Sequence, residues 1–197
     1  GESAHYNTVL FSSALPLPTT DEKILSSLAK LHGELSPNGQ YIIDDDTSEA
    51  MENFTLYDAK TLSPILSAGR PESNVATFLF SPDSKYLAVL PYKSDSPPQI
   101  HIFDIESKSP IPPFNLPSDK KFVLFSPGSP SLIVAHNADI LIIDFKSQKT
   151  LKTLSEHTKP INSLTLSADG KTLFSSQEDG ITIAWDWPAI AASLTQK

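Results

Sequence analysis

The sequence predicts an all-β chain built from four copies of one unit, each a short antiparallel meander of four strands. Two anchors carry that expectation. The first is an apolar run, then Ser-Pro or Ser-Ala, then a polar turn and a second apolar run. It occurs at Leu35-Ser36-Pro37-Asn38-Gly39-Gln40-Tyr41-Ile42, Phe80-Ser81-Pro82-Asp83-Ser84-Lys85-Tyr86-Leu87, Phe125-Ser126-Pro127-Gly128-Ser129-Pro130-Ser131-Leu132 and Leu166-Ser167-Ala168-Asp169-Gly170-Lys171-Thr172-Leu173, and its serines step by 45, 45 and 41 residues. The second is an apolar or aromatic residue followed by Asp: Tyr57-Asp58, Phe103-Asp104, Ile143-Asp144 and Trp185-Asp186, with Asp-to-Asp steps of 46, 40 and 42. Two independent anchors on one period mark an internal repeat, and strands this short within a period near 40 make a meander repeated about an axis.

At the N-terminal end, residues 6–18 contain a strand-like run that Pro16 and Pro18 stop. Over residues 20–31, Ile24, Leu28 and Leu31 fall at helical intervals, which fits a short helix or an irregular connection before a first inner strand near residues 31–35. In each unit a β-type run (Phe54-Thr55-Leu56, Ile100-His101-Ile102, Ile140-Leu141-Ile142, Ile181-Thr182-Ile183) precedes the closing Asp. A polar turn comes after it, as at Ile105-Glu106-Ser107-Lys108-Ser109 and Phe145-Lys146-Ser147-Gln148-Lys149. Past Asp186, Pro188 interrupts, and residues 189–194 fit a helix or an outer strand. The resulting boundaries are 1–28 for the leading strand and connection, 29–68, 69–115, 116–155 and 156–187 for the repeats, and 188–197 for a tail.

Composition narrows the function. The chain has 197 residues, 39% apolar and 19% charged, with a net charge of -8, too apolar for a disordered segment and too acidic for a binder of nucleic-acid backbone. Its one Arg, Arg70, leaves no set of bidentate forks for phosphate or guanine. With no Cys, disulfide frameworks, Cys-ligated zinc, iron-sulfur clusters and thiol catalysis drop out. No stretch nears the ~18 apolar residues of a membrane span. The start, Gly1-Glu2-Ser3-Ala4-His5, lacks the basic and apolar regions of a leader, so the chain reads as soluble. It begins without Met, and a piece of something longer is one reading of that start.

Residues 157–187, His-Thr-Lys-Pro-Ile-Asn-Ser-Leu-Thr-Leu-Ser-Ala-Asp-Gly-Lys-Thr-Leu-Phe-Ser-Ser-Gln-Glu-Asp-Gly-Ile-Thr-Ile-Ala-Trp-Asp-Trp, resemble the repeat of the WD40 family. The resemblance spans about residues 29–187. It implies a WD40-like β-propeller with four recognisable blades of four antiparallel strands. Because that family usually closes with about seven blades, it also implies a partial propeller or part of a larger ring. In the last repeat His157, Ser175, Asp179 and Trp185 match the positions of a buried structural tetrad in which the Asp accepts from the His and the Ser supports the Trp. The other repeats depart from it: Tyr57 and Phe103 replace Trp, and Asn137 stands where an Asp is expected.

The same resemblance implies a non-catalytic scaffold for protein-protein interaction inside a multiprotein assembly, intracellular, in cytoplasm or nucleus. Its partners are other proteins, with no nucleic acid, membrane or cofactor expected. The matched partner-binding positions are Lys159, Asn162 and Glu178 in the last repeat and Lys121 in the third. One alternative is a subunit or fragment that completes a propeller with another chain or a second copy, because a four-repeat arc leaves apolar blade faces uncovered. The other is a ligand-binding or enzymatic propeller, which needs inward carboxylates or His at the strand ends.

The remaining motifs read as structure. Gly170-Lys171-Thr172 ends like a phosphate loop, but residue 165 is Thr where the pattern needs Gly, so Asp169-Gly170 is a hairpin turn with Gly at positive φ. Asp44-Asp45-Asp46 with Glu49 and Glu52 lacks the Gly and spacing of a calcium loop. His5, His32, His101, His136 and His157 form no pair at metal-ligand spacing, and no Gly-x-Ser-x-Gly elbow exists, so neither metal nor catalytic residues are expected. Asn53-Phe54-Thr55 matches a glycosylation pattern at the opening of a strand. Ser96-Pro97 and Ser109-Pro110 lie in Pro-rich loops open to a proline-directed kinase, whereas Ser36, Ser81 and Ser126 precede Pro within the repeat turn.

Overall fold

Each repeat becomes an antiparallel sheet because its apolar residues alternate along runs of about six residues, placing one side of the strand inward. The computed structural model describes residues 34–45, 53–69, 76–91, 99–116 and 122–194. The first sheet joins β1 (Tyr41–Asp45), β2 (Asn53–Asp58) and β3 (Pro64–Gly69). The second joins β4 (Ala76–Phe80), β5 (Tyr86–Pro91), β6 (Gln99–Asp104) and β7 (Ser109–Asn115). The third joins β8 (Val123–Phe125), β9 (Ser131–His136), β10 (Asp139–Asp144) and β11 (Lys149–Leu154), and the fourth β12 (Ile161–Leu166), β13 (Thr172–Gln177) and β14 (Thr182–Asp186). Four antiparallel sheets in sequence order, three or four strands each, are the blades of a propeller-type all-β fold. Leu35, ahead of β1, forms an isolated antiparallel bridge with Ile42. The expected strand at residues 6–18 and the segment at residues 20–31 lie outside the described residues.

The blades form two compact units. In the first, Ile43, Phe54 and Leu56 of one sheet pack with Phe78, Leu87, Val89 and Phe103 of the next. Phe54 sits at their centre, edge-on to Phe78 at 5.3 Å and to Phe103 at 5.5 Å. In the second unit, Ile133, Ala135, Ile140 and Ile142 of the third sheet pack with Ile161, Leu164 and Leu173 of the fourth.

The Ser anchor works through its hydroxyl. Ser36, Ser81 and Ser167 accept the N–H of Tyr41, Tyr86 and Thr172, each at 2.9 Å, across the hairpin. They donate to the side chains of Asn38, Asp83 and Asp169 at 2.8, 2.7 and 2.6 Å. Those acceptors also take the N–H of Gln40, Lys85 and Lys171. In the third repeat that last position is Pro130, which has no N–H, and Gly128 stands where the acceptor would be. Ser126, Ser129 and Ser131 form a hydroxyl chain there instead, with oxygens 2.7 and 2.8 Å apart. Gly170 adopts φ 68 as expected for its turn, and Ser84 tolerates φ 58 at the matching position.

The Asp anchor caps the turn at the end of each closing strand. Asp58, Asp104 and Asp144 accept the N–H of Thr61, Ser107 and Ser147. The residue after each Asp is buried, and its N–H bonds back to the hairpin turn: Ala59 to Gln40, Ile105 to Lys85, Phe145 to Pro130 and Trp187 to Lys171. In the last blade Asp186 accepts from Ala189 at 3.1 Å and so becomes the N-cap of α1 (Trp187–Leu194), with Pro188 inside the first turn. The helix, one of the two open readings of that segment, turns Trp187 and Ile190 into the core of the second unit. Among the described residues no strand therefore pairs with the outer edge of β14, where β6 has β7 and β10 has β11.

Candidate functional site

The polar chemistry of the last blade gathers at one end of its sheet, where the loop before β12 meets the turn after β13. Leu173, Ser175 and Gln177 alternate along β13 and share its inward face, while Trp185 lies opposite Leu173 on β14. His157 enters from the loop and is 6% exposed, so both ring nitrogens need partners inside the protein.

Those partners fix a single direction of hydrogen bonding. Gln177 Oε1 lies 3.1 Å from the Thr158 N–H, and its Nε2 lies 2.7 Å from Asp179 Oδ1. A backbone N–H can only donate and a carboxylate accepts, so the amide has one orientation. His157 Nδ1, 3.0 Å from the same Oε1, must donate to it. At the other side the Trp185 indole N–H donates to Ser175 Oγ at 2.8 Å, and Ser175 donates its own proton to His157 Nε2 at 2.6 Å. The chain runs from Trp185 through Ser175, His157 and Gln177 to Asp179 with every link satisfied.

His157, Ser175 and Trp185 thus come together directly. Asp179 does not meet the imidazole: Gln177 stands between them, and the carboxylate takes the Gln177 amide and, at 3.3 Å, the Ile181 N–H. Gln177 belongs to the chain although only the other four residues were expected in it. Its signal was the period of two along β13, which sets it on the face of Ser175. The Gln177 amide, above all, holds the Asp179 carboxyl below the usual carboxylate range, and the Ile181 N–H and the Lys159 charge act in the same direction.

Three of the four expected partner-binding residues surround this end of the sheet. Lys159 is exposed in the loop, near enough to Asp179 to influence its charge. Glu178 is exposed in the turn, and its N–H reaches the Pro160 carbonyl at 3.1 Å, tying turn to loop. Asn162 sits where the β12–β13 register shifts between Ile161 and Ser163, so the irregularity leaves it exposed at the start of the inner strand. Ile181, 55% exposed, adds an apolar side chain beside them that the sequence pattern did not mark. Lys121 lies outside the described residues, as do Asp46, Glu49, Glu52 and Ser96. Asn137, where an Asp was expected, lies in the β9–β10 turn with φ 53, and its carbonyl accepts the Ile161 N–H.

This end of the sheet lies within the stretch that a known repeat family matches. The family model described as "WD domain, G-beta repeat" (WD40) matches residues 148–186, from the outer strand of the third blade to the Asp that caps α1. Residues 148–186 thus carry a WD40 repeat. A stretch of 47 residues is 40% identical to "Retinoblastoma-binding-like protein E" of Dictyostelium discoideum, covering 24% of this chain and 9% of that protein's length. In the other WD40-like blades Tyr57, Phe103 and Ile143 occupy the place of Trp185, and only in the last does a His–Ser–Trp chain form among the described residues. No helix among the described residues is long and apolar enough to cross a membrane.

Proposed function

We propose that this chain is a non-catalytic WD40 scaffold within a multiprotein assembly, holding a protein partner on the end of its last blade through Lys159, Asn162 and Glu178. The observation that supports this most is the division of labour between residues. The recurring ones, the Ser of each hairpin and the Asp of each closing pair, are engaged in turns and caps. The non-recurring polar side chains at this end are exposed around a hydrogen-bonded base. A cation, an anion, an amide and the exposed Ile181 on one rim supply both polar contacts and apolar area for a protein surface. A catalytic reading needs converging titratable groups, and His157 already spends both ring nitrogens on Gln177 and Ser175. The name of the Dictyostelium relative, "Retinoblastoma-binding-like protein E", is in keeping with the same class of function. Affinity capture with the wild-type chain and with Lys159→Ala/Asn162→Ala/Glu178→Ala tests the proposal. Proteins retained by the first and lost by the second support it, whereas identical capture places the surface elsewhere.

A second reading, a chain that completes its propeller with another chain or a second copy, is favoured by the outer edge of β14, which no described strand covers. The outward side of that sheet shows Thr165, Phe174, Thr182 and Ala184. Phe174 is the one large apolar side chain among them, so this surface is more polar than an uncovered blade was expected to be.

A further inference from the structure

Ser-Pro occurs seven times in this chain, at Ser36, Ser63, Ser81, Ser96, Ser109, Ser126 and Ser129. The structure sorts the six described ones into two groups. Ser36, Ser81 and Ser126 are 0%, 4% and 3% exposed and hold the hairpins together, and Ser129 sits inside the hydroxyl chain of the third repeat. Ser63 and Ser109 are exposed, and they occupy the same place in two blades, five residues after the capping Asp58 and Asp104, with Pro-Ile next in both.

The two exposed serines differ in the strands they lead into. β3 has one proline in six residues, whereas β7 has Pro110, Pro112 and Pro113 among seven, so three of its positions have no N–H to offer β6. β7 is thus an outer strand that is already extended and comparatively weakly held, and its exposed pattern leaves Ser109, Pro110, Pro112 and Pro113 open to solvent. The Ser109 hydroxyl bonds only a neighbouring hydroxyl in the same exposed turn, Ser107 Oγ at 2.7 Å. A proline-directed protein kinase needs this arrangement: an accessible serine hydroxyl, proline next, and a segment that can lie extended in its cleft.

We propose that Ser109 is a phosphorylation site for a proline-directed protein kinase, selected from the other described Ser-Pro pairs by exposure at the head of the proline-rich outer strand β7. In the transfer, a bond forms between Ser109 Oγ and the γ-phosphorus of ATP as the bond from that phosphorus to the bridging oxygen breaks. ADP leaves, and the hydroxyl proton passes to the kinase base. The product puts close to two negative charges beside Asp104 and Glu106, a local change that can alter which surfaces this edge accepts. The proposal does not depend on the partner surface of the last blade.

The test incubates the folded 197-residue chain with a proline-directed kinase and labelled MgATP, and maps phosphate by mass spectrometry. Ser109 is expected to be the main site among the described residues, ahead of Ser63. Ser109→Ala is expected to remove that phosphate, while Ser109→Thr and Ser107→Ala retain it at residue 109. Absence of phosphate on Ser109 in the folded chain overturns the proposal, as does phosphorylation of Ser36, Ser81 or Ser126 in preference to it. A synthetic peptide of residues 104–114 in the same assay distinguishes an inaccessible strand from an unreadable motif.

Discussion

Ser175 is the residue through which the polar chain of the last blade changes direction, accepting from Trp185 and donating to His157. Ser175→Ala leaves an indole N–H and a ring nitrogen without their partner at a site 1% exposed, so a loss of about 1 to 3 kcal/mol is expected in urea unfolding. Asp179→Ala should cost less, because the carboxylate is exposed and water can replace it at the Gln177 amide. The depressed pKa of Asp179 sets the sign of its acid response. Its contribution is fully present above the unfolded value of about 3.9 and disappears as pH falls through the folded value. Asp169, lowered by the Ser167 hydroxyl and then by the Lys171 N–H, obeys the same rule. Urea midpoints should therefore stay level near neutrality and drop below about pH 4, less steeply in Asp179→Asn. At this scale His157, Ser175, Asp179 and Trp185 were legible through the resemblance of residues 157–187 to the WD40 repeat, but the place of Gln177 was not. Sequence spacing names which side chains share a face, and only the lengths of the side chains decide which one reaches the imidazole.

Blades were legible as elements because turn chemistry repeats with the strands. The Ser hydroxyl and the closing Asp each have a definite donor to satisfy, and both positions fall where the sequence put them. The buried residue after each Asp was less visible, since Ala59, Ile105, Phe145 and Trp187 share no side-chain chemistry, and the repeating feature there is a backbone bond. The last such residue also decided between strand and helix: once Asp186 caps and Trp187 is drawn into the core, α1 forms. Trp187→Ala is expected to cost about 3 to 5 kcal/mol, measured by thermal or urea unfolding, and to release the helix. Gly170→Ala places a Cβ 3.3 Å from Pro127 Cγ in a turn at φ 68, so a loss of about 1 to 2 kcal/mol is expected.

For the whole molecule, the repeat count was legible and the surroundings of the blades were not, because closure depends on which surfaces meet rather than on any local pattern. Light scattering after gel filtration tests the second reading: a chain completed by a second copy has a mass above 21.4 kDa and falls to that mass in Phe174→Glu. A sharply melting monomer of 21.4 kDa removes the second-copy form of that reading. The scaffold reading is tested most directly by hydrogen exchange on the chain with and without a captured protein partner. Slowed exchange is expected at residues 155–162 and 177–182, the loop and turn that carry Lys159, Asn162 and Glu178. Slowed exchange confined to other blades, with those two segments unchanged, would overturn that reading.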